Sequence, residues 1–137
     1  MTAVKRVALA LSAALGLFVG GWATVSPRGF YDAFPGVLGH WVDLDGPFNE
    51  HLIRDVGALY LALAAASVVV LVLRSAWAPL GAAWTVFGAL HLAYHATHVD
   101  GFSTVDAVGA IVSLAVSLAL GVVLLVPTRR PVEAATR

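Results

Sequence analysis

Residues 105–126 read VDAVGAIVSLAVSLALGVVLLV, a run in which Asp106 is the only charged side chain. A helix needs about 20 consecutive apolar residues to cross the roughly 30 Å hydrocarbon core of a bilayer. The run has this length, and its apolar residues do not alternate with polar ones as a strand of a membrane β-barrel requires. We therefore interpret residues 105–126 as a membrane-spanning helix, in which every backbone group is satisfied internally.

Three further apolar segments of similar length precede this one, at residues 7–25, 47–73 and 80–98. The whole chain is 60% hydrophobic and only 12% charged, with a mean hydropathy of +0.88. Soluble domains carry about twice that share of charged residues. The sequence predicts an all-α integral membrane protein, a four-helix transmembrane bundle that forms one domain over residues 1–137. We expect the first span to be retained rather than cleaved as a signal peptide.

The basic residues predict the orientation of the bundle. Four spans put both chain ends on one side, which then carries most of the basic side chains: Lys5, Arg6, Arg74, Arg129, Arg130 and Arg137. The other side carries only Arg28 and Arg54. By the positive-inside rule, both ends and the tail 127–137 are expected in the cytoplasm. The acidic residues are distributed the opposite way, and all five histidines belong to the outer side.

Composition also limits the partners and the class of function. The formal net charge is zero, so the chain lacks the basic surface that binds nucleic acid. It contains no cysteine, which excludes disulfides and thiolate metal sites. The Ala, Val, Gly and Arg bias favours a bacterial inner membrane, with the lipid bilayer and a membrane-protein partner or second copy as the partners. No nucleophile motif or Gly-rich phosphate loop is visible, so we do not expect an enzyme on its own.

The first outer loop, residues 26–46, is too long for a simple turn. Its start, SPRGFYDAF at 26–34, places Ser26 as a helix cap and Pro27 at the first helical position. The aromatic residues that follow suit the membrane interface, so we expect a short interfacial helix there. A second start signal, at Pro47, is expected to open the second span.

Small residues recur every four positions in two of the spans. Such stripes let membrane helices approach closely, because lipid provides no hydrophobic drive for their association. We predict helix packing at Gly16 and Gly20 in the first span, and at Gly109, Ser113, Ser117 and Gly121 in the fourth. The pattern leaves open whether these contacts lie within one chain or between copies.

The end of the third span contains the stretch HLAYHATHVDG, residues 91–101. Its histidines follow one another at steps of four and three, which places them on one face of a helix. Imidazole is a ligand for copper, zinc or iron, and ionisable residues inside membranes are usually functional. We predict a transition-metal site formed by His91, His95 and His98, completed by side chains at the start of the second span: Glu50, His51 and Asp55.

Two other interpretations of these histidines stay open. In one, a histidine from each of two helices ligates a haem, although His51 is the only candidate on the second span. In the other, the imidazoles form hydrogen bonds that hold the outer helix ends together. Arg54 and Asp55, which are neighbours in sequence, can bind an anionic substrate or move protons. We favour a structural ion pair between them.

The layout of the spans and the stretch RDVGALYLALAAASVVV at 54–70 resemble the DoxX-like group of small four-helix bacterial membrane proteins. The resemblance implies a long first loop, a polar start to the second span, and an accessory role in quinone-linked redox systems. It implies nothing for the histidines at 91–98, which match no motif of that group.

The leading hypothesis for function is therefore a small bacterial inner-membrane protein with an outward-facing His/carboxylate metal site, acting as an accessory or redox-associated subunit. The alternative is a purely structural or assembly subunit whose histidines only pack and form hydrogen bonds.

Overall fold

The computed structural model describes residues 2–127, which contain five α-helices, one short 3-10 helix and no strand. The α-helices are α1 (Ala3–Val25), α2 (Pro27–Ala33), α3 (Glu50–Leu73), α4 (Trp77–Ala96) and α5 (Thr104–Leu125), and the 3-10 helix covers Asp43–Asp45. The predicted all-helical class is confirmed, and the short helix expected in the first loop is present as α2. The tail prediction, with its arginines at 129, 130 and 137, falls almost wholly outside the described residues.

Capping residues set the helix boundaries. The side chain of Asn49 accepts a hydrogen bond of 3.1 Å from the backbone N–H of Leu52, so α3 begins at Glu50 and not at the predicted Pro47. The Ser103 hydroxyl accepts a bond of 3.1 Å from the N–H of Asp106 at the start of α5. Both caps satisfy N–H groups that a helix start leaves without an internal partner.

Three helices of the described chain, α1, α3 and α5, are long and apolar enough to cross a membrane, with mean hydropathies of 1.8, 2.6 and 2.6. The predicted third span, α4, is not among them. Its composition gives the reason, because two tryptophans, a proline, a tyrosine and two histidines lower its hydropathy. By length and composition, the structure therefore supports three spans where the sequence predicted four.

The long helices pack most closely in two pairs, α1 with α3 and α4 with α5. Glycine permits the first contact: a Cβ on Gly20 would lie 2.7 Å from the carbonyl oxygen of Gly57. A Cβ on Gly121 would likewise lie 2.8 Å from the backbone nitrogen of Thr85 in the second pair. Each pair therefore packs backbone against backbone, as helices in lipid commonly do.

A loop segment, residues 26–49, covers the end of the bundle where α1 and α4 stop and α3 and α5 begin. We call this segment the cap and this end the cap end. An aromatic cluster holds the cap to α1, with ring centroids 5.9 Å apart for Trp22 and Phe30 and 6.0 Å apart for Trp22 and Phe34. Hydrogen bonds hold the cap to α5, because one carboxylate oxygen of Asp106 accepts bonds from the N–H of Gly39 (2.8 Å) and the indole N–H of Trp41 (3.0 Å).

Candidate functional site

A cavity of about 440 Å³ lies beneath the cap, lined by the cap and the adjoining halves of α1, α3, α4 and α5. Sites for small molecules commonly have volumes of about 300–1,000 Å³ and mainly apolar walls with a few polar groups. Most of the wall is aliphatic or aromatic. The polar side chains that reach it are Asp45, Tyr60, His91, His95, Ser113 and Ser117. The cavity therefore has the size and the composition of a site for a lipophilic small molecule.

Two of the three predicted histidines lie together in this cavity. His91 and His95 are one turn apart on α4, and their ring centroids are 4.9 Å apart. The ring of His91 also packs edge-on against Phe87 (5.3 Å) and Tyr60 (6.5 Å). The spacing of four residues thus gives one shared face, as the sequence predicted.

His98 does not join them. The helix α4 ends at Ala96, so the chain leaves its helical path before His98. The ring of His98 stacks on Tyr94 at 4.1 Å, and its Nδ1 atom lies 2.8 Å from the Tyr94 carbonyl oxygen. His98, the third histidine of the predicted face, is therefore exposed and contacts Tyr94 instead of the other two histidines.

The predicted partners at the start of α3 lie outside the cavity. Glu50 accepts a bond of 2.8 Å from Arg54, and His51 lies 3.2 Å from Asp55. The side chains of His51 and Asp55 are 88% and 64% exposed. The buried face of α3 includes Ile53 and Gly57, and these four polar residues lie on the other faces of the helix.

The ion pairs of Arg54 also differ from the expectation. Arg54 pairs with Glu50, and Asp55 pairs with His51, so the predicted pair between Arg54 and Asp55 is absent from the salt bridges of the described chain. Adjacent residues on a helix point in different directions, whereas residues four apart face each other. Arg54 donates a further bond to the carbonyl oxygen of Thr24, which joins α3 to the end of α1.

Asp45 is the carboxylate that the structure brings to the histidines. It lies in the 3-10 helix of the cap, with one oxygen 3.9 Å from Nδ1 of His95. Its side chain is 31% exposed, and that of His95 is 19% exposed. The contact joins the cap to α4 at the polar edge of the cavity.

Tyr60 adds an unpartnered hydroxyl to the cavity wall. The residue is only 5% exposed, yet its hydroxyl forms no hydrogen bond within residues 2–127. The ring nitrogens of His91 also form none within the same range. These two side chains are therefore available to the polar part of a bound molecule.

The predicted packing residues take two different positions. Gly20 and Gly121 lie at the contacts between helices described above, and a Cβ on Gly16 would lie 2.8 Å from the carbonyl oxygen of Tyr60 on α3. Gly109 lies beneath the cap, where an added Cβ would be 3.2 Å from Leu38 and from Trp41. Ser113 and Ser117 face the cavity. The stripe on α5 thus serves helix packing at one end and cavity space at the other.

No three His, Asp or Glu side chains within residues 2–127 come together in an arrangement that could hold a metal ion. Comparison of the chain with protein-family models, curated proteins and solved structures finds no match.

Sequence reasoning did not predict Asp45 or Tyr60 as site residues. Tyr60 lies seven residues after Ile53 on the buried face of α3, so helical periodicity is a signal for its inward position. No local pattern marks Asp45, because its place depends on how the cap folds back on the bundle.

Proposed function

We propose that this chain is a small bacterial inner-membrane protein that binds a lipophilic small molecule beneath its cap and acts as an accessory or redox-associated subunit. The observation that carries the proposal is the cavity, with an apolar wall and a polar edge formed by Asp45, Tyr60, His91 and His95. An apolar body fits such a wall, and the few polar groups orient the head of the molecule. The resemblance to the DoxX-like group supports the accessory role, with a membrane protein or a second copy as partner.

The proposed membrane arrangement has four spans, with α4 crossing beside α5. Its support is the close packing of α4 on α5 near the start and in the middle of α4: an added Cβ on Gly81 would lie 2.7 Å from Leu124, and one on Gly88 would lie 3.1 Å from Leu118. A helix packed along a spanning neighbour shares its depth in the bilayer. The charge distribution then favours cytoplasmic chain ends and places the cavity in the outer half of the membrane.

Binding of a neutral lipophilic probe tests the proposed function. N-phenyl-1-naphthylamine, whose fluorescence rises in apolar surroundings, is titrated into the protein in phosphatidylcholine nanodiscs, with empty nanodiscs as the blank. We expect saturable binding to the protein. The variant Ala110→Leu fills part of the cavity and should weaken that binding at least several-fold, because Ala110 is a buried residue of the wall.

The matched control is Val108→Leu, on the same helix. Val108 is 57% exposed and does not line the cavity, so the extra methylene should leave binding unchanged. Equal binding by empty and loaded nanodiscs, or equal effects of the two variants, would contradict the proposal. A purely structural or assembly subunit would then be the better interpretation.

A transition metal at the polar edge is the second candidate, favoured by the adjacent rings of His91 and His95 and by Asp45 beside them. Copper, zinc or iron accepts such ligands, whereas haem would need a histidine on the facing α3, and His51 is exposed there. The two rings and the carboxylate would have to turn toward one point to share an ion.

Metal content of the purified protein tests this candidate. Metal ligation requires neutral imidazoles, so bound metal should be lost on acidification. His95→Ala should lower the metal content, and His98→Ala should not, because His98 stacks outside the cavity. Protein that carries no stoichiometric metal after incubation with Zn²⁺ or Cu²⁺ at pH 7.5 would rule the candidate out.

A further inference from the structure

The charge of the cavity wall restricts what it can bind. Asp45 is the only wall residue with a formal charge at neutral pH, and no lysine or arginine of the described chain reaches the wall. A charged headgroup buried away from water needs a counter-charge, so a carboxylate or a phosphate has no partner here. An ammonium group has one in Asp45, which lines the cavity and whose side chain is 31% exposed.

We infer that the molecule bound beneath the cap is a lipophilic cation, an amphipathic amine whose ammonium group lies against Asp45 and whose apolar body fills the cavity. This inference rests on the proposed function and names the chemical class of its ligand.

The remaining polar groups of the cavity can serve an ammonium group as well. An alkylammonium has three N–H donors and no acceptor. The carboxylate of Asp45, the hydroxyl oxygen of Tyr60 and the free nitrogen of a neutral His91 are all acceptors. Tyr60 and His91 have no hydrogen-bond partner within residues 2–127 and line the same cavity. They are therefore further acceptors on the wall of the same cavity.

The aromatic part of the wall favours the same charge. The electron-rich faces of aromatic rings attract cations within about 6 Å of the ring centroid. The rings in the wall are those of Phe18, Phe30, Phe34, Trp41 and Tyr60. An anion gains nothing from these faces, and a neutral head gains little.

The surface around the cavity also attracts cations. The acidic residues at the cap end are Asp32, Asp43, Asp45, Glu50, Asp55, Asp100 and Asp106, and the only basic residues there are Arg28 and Arg54. Both arginines already pair with acids, since Arg28 donates to Asp32 and Arg54 donates to Glu50. A surface of one charge sign raises the local concentration of ions of the opposite sign and speeds their arrival.

Three probes that share a twelve-carbon chain and differ in the headgroup test the inference: dodecylamine, dodecanol and dodecanoate. Each is titrated at pH 7.5 into the full chain in phosphatidylcholine nanodiscs, and native mass spectrometry counts the bound molecules per protein. We expect dodecylamine to bind at least ten-fold more tightly than dodecanol and dodecanoate to bind most weakly. Dodecanol or dodecanoate binding as tightly as dodecylamine would overturn the inference and leave the proposed function standing. Failure of all three probes would overturn both.

Two matched variants locate the counter-charge. Asp45→Asn removes the charge from the cavity wall without changing its size, and we expect it to abolish the preference for dodecylamine over dodecanol. Asp55→Asn removes the same charge from the exposed surface of the same end, and we expect a change of less than about two-fold, since exposed charges are screened by salt. An unchanged preference in Asp45→Asn, or an equal loss in both variants, would overturn the inference. If Asp45→Asn does not fold, the ranking of the three probes on the unmodified chain decides alone.

Discussion

The ammonium group of Lys5 illustrates how a single buried charge is accommodated in this bundle. Lys5 is 4% exposed and donates a hydrogen bond of 2.8 Å to the carbonyl oxygen of Leu124. Leu124 lies in the last turn of α5, where carbonyl groups have no donor within the helix and the helix dipole is negative. The Nζ atom also lies 5.6 Å from the ring centroid of Trp77 on α4. One side chain thus joins α1, α4 and α5 at the end opposite the cap.

Replacing this lysine should destabilise the fold. Lys5→Met keeps most of the side-chain length but leaves the Leu124 carbonyl without its charged donor, and hydrogen bonds to charged groups contribute about 1.5–3 kcal/mol. We expect a loss of that order in the free energy of unfolding, measured by denaturant titration in detergent micelles. Arg6→Met is the control, because Arg6 is exposed and forms no side-chain hydrogen bond within the described residues. Equal losses in both variants would mean that charge alone, and not the bond to Leu124, stabilises this end.

Composition and periodicity predicted the helices and much less of the site. Apolar runs predicted α1, α3, α4 and α5, because a helix satisfies the hydrogen bonds of all its backbone groups when it lies in lipid. Spacing also foretold that His91 and His95 share a face. The position of Asp45 was not predictable, since the cap is held by contacts such as Trp41 to Asp106, which lie 65 residues apart in sequence. The prediction that His98 shares this face was wrong, because α4 ends at Ala96 and no strong local signal in the sequence marks that end.

Adjacent glycines on α1 offer a direct test of packing between helices. A Cβ on Gly20 would lie 2.7 Å from the Gly57 carbonyl oxygen and 2.8 Å from the Leu61 backbone nitrogen. A Cβ on Gly21 would meet no atom within 4 Å. We expect Gly20→Ala to lower the free energy of unfolding by about 1–3 kcal/mol, the usual range for overpacking. Gly21→Ala should cause no loss, because alanine is the better helix former. Equal stability of the two variants would show that α1 and α3 do not pack as described.

Charge is distributed unevenly between the two ends of the bundle. The cap end carries the acids and the cavity, whereas the opposite end carries Lys5 and Arg6 and the short connection through Arg74. A cavity beneath the cap is open to molecules from only one side of the membrane if the four-span arrangement holds. The number of spans therefore decides from which side a ligand arrives.

Reporter fusions determine that number. Four spans place both chain ends on one side, whereas three spans, α1, α3 and α5 without α4, would place them on opposite sides. We expect a reporter inserted at Ser75, between α3 and α4, to be active in the cytoplasm and one inserted at Gly101, between α4 and α5, to be active outside. The difference between three and four spans arises from α4 alone, because α4 is the one long helix of the described chain that is not apolar enough by itself to span a membrane and would cross only when packed against α5. A cytoplasmic signal from both fusions would contradict the four-span arrangement and, with it, the outward-facing cavity.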